Sequence, residues 1–128
     1  MRKIQIGIIG PEKKNLKEQF CDKYLELAYA LGKELAKRGV VLVTGGCTGV
    51  AEAASKGAVD AGGITVGTPG PERGSSPLST QIEICTPINV GDYLFAGILS
   101  SDVIIVFPGD AGTVAELAIA FRYRKPLI

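Results

Sequence analysis

The sequence predicts a doubly wound, mostly parallel α/β sheet folded as a single three-layer domain over residues 1–128. Short β-branched runs alternate with longer segments at helical spacing, the pattern of strands joined by crossover helices. Two of these runs, at 40–44 and 102–107, are apolar at nearly every position, as expected of central strands covered on both faces. Glycine-rich segments follow several of the runs, where a doubly wound, Rossmann-like sheet turns its strand ends toward a ligand.

The first run, "IQIGII" (4–9), is a strand that breaks at Gly10 and Pro11, and the charged "PEKKNLKEQ" after it reads as a solvated helix start. A helix is expected from about Leu16 to Arg38, with Phe20, Tyr24, Leu27, Leu31 and Leu35 as its core stripe and Gly39 as its C-terminal cap. "VVLVT" (40–44) is the second strand, and the alanine-rich segment Val50 to Ala61 is the second helix. "ITVGT" (64–68) and "QIEIC" (81–85) are the third and fourth strands. Between them "GTPGPERGSSPLS" (67–79) forms a long loop, either a lid or a plain connection. A third helix spans about Gly91 to Ser101, "DVIIVF" (102–107) is the fifth strand, and a fourth helix runs from about Thr113 to Arg124. The cations of "RYRK" match the dipole at that helix's C-terminal end. "PLI" starts a further strand, so the domain either finishes on a short edge strand or lacks a terminal helix and strand.

With 46% hydrophobic and 21% charged residues, the chain has the apolar volume for one core and is not disordered. Its apolar runs are too short to cross a bilayer and no signal-peptide pattern opens it, so a soluble, cytoplasmic protein is expected. A formal charge of +1 gives no reason to expect nucleic acid or a membrane surface as partner. Cys21, Cys47 and Cys85 are too widely spaced for a disulfide framework or a zinc site; reduced thiols and no metal site are expected. The absence of histidine excludes a Ser-His-Asp triad and any histidine base or metal ligand.

Three loops could hold phosphate: "GPEK" with Gly10, "TGGCTGVAEAA" with Gly45, Gly46 and Gly49, and "PGDAGTVAEL" with Pro108, Gly109 and Gly112. The last two feed directly into helices, whose unpaired N–H groups and positive dipole end favour an anion, and glycine lets that anion come close. Thr44, Thr48 and Thr113 add hydroxyl donors. No G-x-G-x-x-G, Walker A or nucleophile-elbow motif is present, which argues against a dinucleotide dehydrogenase, a P-loop nucleotidase and an α/β-hydrolase.

The segments "GGCTGVAEAASKGA" (45–58) and "SSDVIIVFPGDAGTVAELAIAFRYRKPLI" (100–128) resemble the Lonely Guy (LOG) family, once described as lysine decarboxylases. The likeness is greater to that family's short nucleotide-binding and molybdenum-cofactor-carrier-like relatives. Its most specific part is P-G-G-x-G-T-x-x-E, matched by Pro108, Gly109, Gly112, Thr113 and Glu116, with Asp110 at the second glycine. The resemblance implies that the glycine loops hold phosphate and sugar. It also implies that Glu116 stands near the N-glycosidic bond that family enzymes cleave in nucleoside 5′-monophosphates. A carboxylate there can stabilise an oxocarbenium-like state or activate water. The arginine these enzymes place before the fifth strand falls on Tyr93, with Leu94 beside it. Arg73, on the long loop, is the candidate to supply the missing charge, and Tyr93 itself could stack on a base.

The sequence therefore favours binding of a nucleotide or another phosphorylated cofactor, including the molybdenum cofactor, with no cofactor required. A phosphoribohydrolase using Glu116 is the alternative, and a purely structural domain is the third reading. The resemblance further implies a homo-oligomer, a dimer or tetramer, assembled through helices beside the site.

Overall fold

The computed structural model describes residues 1–87 and 92–128; the side chains of residues 92–94 lie outside what it describes. Five parallel strands, β1 (Gln5–Ile9), β2 (Val41–Thr44), β3 (Thr65–Gly70), β4 (Ile82–Cys85) and β5 (Val103–Val106), form one sheet in the order β4-β3-β2-β1-β5. Helices α1 (Glu18–Lys37) and α2 (Val50–Asp60) pack on each other over one face, and α3 (Asp92–Leu99) and α4 (Ala111–Arg122) over the other. The predicted single α/β domain with three layers is the fold observed.

The core is divided by the sheet. Ile8, Leu42, Val50, Ala54 and Phe107 pack with Ala28 and Leu35 beneath α1 and α2, while Ile9, Ile98, Ile104 and Ala120 pack beneath α3 and α4. Alternate residues of a strand face opposite sides, which is why Ile8 and Ile9 belong to different layers. Helices α1 and α2 approach unusually closely, because a Cβ on Gly32 would overlap the carbonyl of Ala54 and one on Gly57 the carbonyl of Tyr29.

The α1 stripe differs from the expected one. Leu27 is 55% exposed and Phe20 39%, while Ala28 and Gly32 are buried between Tyr24, Leu31 and Leu35. The close approach of α2 selects small residues for the inward face, and the larger ones turn outward. The long loop also begins later than expected, because β3 continues through Pro69 to Gly70, which pairs with Cys85 past a register shift. Similarly, α4 starts at Ala111 rather than Thr113, since the Asp110 side chain caps it by accepting the Thr113 N–H at 3.1 Å.

Strand β5 is the outermost of the five strands rather than a central one. It is nevertheless paired on both edges. Beyond it residues 126–128 add the expected short strand: Ile104 bridges Leu127, and the Ile128 N–H donates to the Ile104 carbonyl at 2.9 Å.

Candidate functional site

The chain leaves β1 for α1 on one face and β5 for α4 on the other, so a crevice opens between their carboxyl ends, the usual ligand position in such sheets. There a cavity of about 400 Å³ is lined by Gly10, Gly45, Gly112, Asp110 and Glu116 from the predicted loops. Glu12 and, from a short 3-10 turn (Lys13–Asn15), Lys14 and Asn15 line it as well, with Lys14 its one cation among the described residues. Glu12 and Lys13 belong to the "GPEK" loop singled out in the sequence, whereas Lys14 and Asn15 read there only as a solvated helix start; their position directly after β1, at the strand-order reversal, was the available signal.

Several of the glycines hold the loops against one another. A Cβ on Gly10 would stand 2.9 Å from Phe107 Cβ and 3.0 Å from Val50 Cβ. Gly49, at φ +79°, sits where a Cβ would meet the Pro11 carbonyl oxygen at 2.5 Å. Gly109 would strike the Thr113 side chain. These contacts join all three loops at the crevice.

Thr44 and Thr113 are buried at 4% exposure, and both use their hydroxyls inside the protein. Thr44 Oγ1 accepts the Gly46 N–H at 3.1 Å, and Thr113 Oγ1 donates to Asp110 Oδ1 at 3.2 Å. Gly46 and Thr48 line a neighbouring cleft with Ser75 and Ser76 of the long loop. Pro108 and Gly109 line a third cleft, shared with the first turn of α1. Arg73 is not brought to the crevice: its side chain is 79% exposed and pairs with Glu83 at 3.7 Å. The Tyr93 side chain lies outside the described residues.

Glu116 is only 7% exposed at the base of the cavity. Burial, reinforced by the charge of Asp110, pushes its pKa up to about 8, with no opposing hydrogen bond among the described residues. The carboxyl is therefore predominantly protonated at neutral pH, able to donate as well as accept. Cys47, on the cavity wall, has its thiol pushed up to about 12 by burial first and then by the charges of Glu12 and Glu116, so it is no nucleophile. Asp110 behaves oppositely. Its partial burial works against the charge, but hydrogen bonds donated by Thr113 and the Asn15 amide outweigh it and hold the carboxyl below its ordinary range. The negative charge of Asp110 is thus committed to capping α4. Among the described residues, no cluster of three or more Cys, Asp or Glu could hold a metal ion.

A profile described as the SLOG cluster4 family matches residues 3–128. The chain belongs to that family. An uncharacterized protein from Archaeoglobus fulgidus is 33% identical over 126 residues, covering 98% of this chain and 78% of its own. Among solved structures, the molybdenum cofactor binding protein from Rippkaea orientalis superposes with a TM-score of 0.88 at 36% identity, covering 99% of this SLOG cluster4 protein and 76% of its own chain. The molybdenum cofactor carrier protein of Chlamydomonas reinhardtii gives 0.84 at 36% identity, over 98% of this chain and 75% of its own. The expected likeness to cofactor carriers is thereby met. Among the described residues, no helix is long and apolar enough to cross a membrane.

Proposed function

We propose that this protein binds a phosphorylated small-molecule cofactor of the molybdenum-cofactor class in the crevice between β1, β2 and β5. The observation that carries the reading is the cavity of about 400 Å³ at the strand-order reversal, onto which the N-terminal ends of α2 and α4 open. Two relatives, each about a third identical over nearly the whole chain, are named for binding or carrying that cofactor. The fit to a phosphate-bearing group follows from the donors present. Gly45 and Gly112 on the wall leave backbone close to the cavity, Lys14 adds a positive charge while pairing with Glu12 at 3.7 Å, Glu116 is mostly neutral, and the ionised Asp110 is occupied by Asn15 and Thr113. Gly46, Thr48, Gly49 and Gly109 shape the loops that carry these donors.

The test is equilibrium dialysis of the purified protein against molybdenum cofactor released anaerobically from a molybdoenzyme, with molybdenum and pterin both measured. Retention of both near one per binding site is the expected result; equilibration with the bulk solution would overturn the reading.

A second reading, nucleoside-monophosphate phosphoribohydrolase, is favoured by one observation: Glu116 is a buried carboxyl, mostly protonated at neutral pH, that faces the crevice. Such a group can serve as general acid to a leaving base. Free base released from nucleoside monophosphates by the parent protein but not by Glu116→Ala would establish it. In either reading the protein is proposed to associate with itself through α3 and α4, where Phe95, Leu99, Val114 and Phe121 are all at least 40% exposed.

A further inference from the structure

Beside the main cavity, on the far side of Asn15 and Asp110, lies a second cleft of about 230 Å³ that the phosphate-binding reading does not use. One wall is the first turns of α1, with Phe20 and Tyr24; the other is Pro108 and Gly109, with Pro11 alongside. The two rings are stacked, their centroids 5.8 Å apart and their planes within 16°. Tyr24 is fixed in turn by an edge contact with Phe107 at 6.2 Å. Phe20 remains 39% exposed, so a flat aromatic face is presented at an open cleft by a ring whose stacked neighbour is anchored to the core.

The polar groups at the cleft are of both kinds. Lys17, the N-cap of α1, lines the cleft, and its ammonium group supplies the donors there. Opposite them stand Asp110, an ionised acceptor, and Asn15. A carboxylate can only accept, so the Asn15 amide nitrogen is the group turned to Asp110, and its carbonyl oxygen remains as a further acceptor. Donors on one side and acceptors on the other, across an aromatic floor, match a flat ring that carries oxo and amino substituents.

We propose that this cleft receives a planar, oxo- and amino-substituted heteroaromatic ring, the class that includes guanine and the pterins, while the polar remainder of the same ligand lies in the main cavity. Asn15 and Asp110 line both spaces, so they stand at the junction between ring and phosphate. Asp110, where the related motif has glycine, becomes a ring-reading residue as well as a helix cap. The inference rests on the ligand-binding reading above, and adds which end of the ligand lies where.

Guanosine 5′-monophosphate, guanosine and ribose 5-phosphate are titrated separately into the purified protein by calorimetry, alongside Phe20→Ala and Phe20→Leu. Expected is tighter binding of the nucleotide than of ribose 5-phosphate, with Phe20→Ala weakening nucleotide and guanosine about tenfold, as loss of a stacking face does, and leaving ribose 5-phosphate unchanged. Phe20→Leu keeps apolar volume for folding but lacks the flat face, and is expected to weaken the same two ligands. Equal affinity for nucleotide and ribose 5-phosphate, or indifference to both variants, overturns the ring cleft and leaves the phosphate site standing. Guanosine binding that depends on Phe20, without any binding of ribose 5-phosphate, leaves the ring cleft and removes the phosphate site. Binding of none of the three removes both.

Discussion

Asn15 and Asp110, at opposite ends of the chain, are joined by a hydrogen bond of 2.5 Å from the Asn15 amide to Asp110 Oδ2. The bond ties the turn after β1 to the start of α4, across the crevice where the two strands part. Asp110 thereby does two structural tasks, since its other oxygen accepts the Thr113 N–H and hydroxyl.

Removing that carboxylate is expected to loosen both. Asp110→Ala should cost about 1–2 kcal/mol, the range for a lost N-cap, measured by urea denaturation. Asp110→Gly should cost less, because glycine is tolerated at a cap. The contribution is full above the ordinary aspartate value of 3.8 and fades as the pH falls below it, because the folded-state value is depressed. A parent and an Asp110→Ala variant of equal stability at pH 7 would show that the cap contributes nothing.

Glu116 has the opposite linkage. Its pKa rises from an ordinary 4.5 to about 8 on folding, so the native state holds a proton that the unfolded chain releases. Stability is therefore unaffected by Glu116 below pH 4.5, declines as the pH rises toward 8, and is lowest above it. A tenfold difference in proton affinity corresponds to about 1.4 kcal/mol, so the decline amounts to several kcal/mol. Glu116→Gln, which cannot ionise, should flatten this slope and melt higher than the parent at pH 8 to 9. Identical melting curves for both proteins across that range would contradict a protonated Glu116.

Cys47 and Cys85 should differ sharply toward alkylation. The Cys47 thiol, at about 12, is almost wholly protonated at pH 8, and only the thiolate attacks. Cys85 is exposed. Iodoacetamide at pH 8 should therefore label Cys85 well before Cys47, as followed by peptide mass spectrometry. Labelling of the two at equal rates would mean that Cys47 is neither buried nor shielded by Glu12 and Glu116.

The order and kind of the elements were legible in the chain because hydrophobic period is a local property. The runs at 4–9, 40–44 and 102–107 contain strands, and Gly39, at φ +76°, ends α1 as its lack of a side chain allows. The crevice was legible too, since glycine loops at strand ends mark it. What local pattern could not reveal is which side chains face which partner. Leu27 and Ala28 both fit a helical stripe, and only the close packing of Gly32 and Gly57 between α1 and α2 decides that Ala28 goes inward. Asp110 stands in the chain only as a departure from the motif's second glycine, and its hydrogen bond from Asn15, at the other end of the chain, exists only in the folded protein. Phe20 read as core, yet lies open beside Tyr24. By itself, the sequence determined the parallel sheet, its helices and the glycine loops at the carboxyl ends of its strands. Tertiary structure alone decided the charge state of Glu116, the use of Asp110 and the opening of the Phe20 cleft, because desolvation, capping and exposure depend on residues brought together from distant parts of the chain.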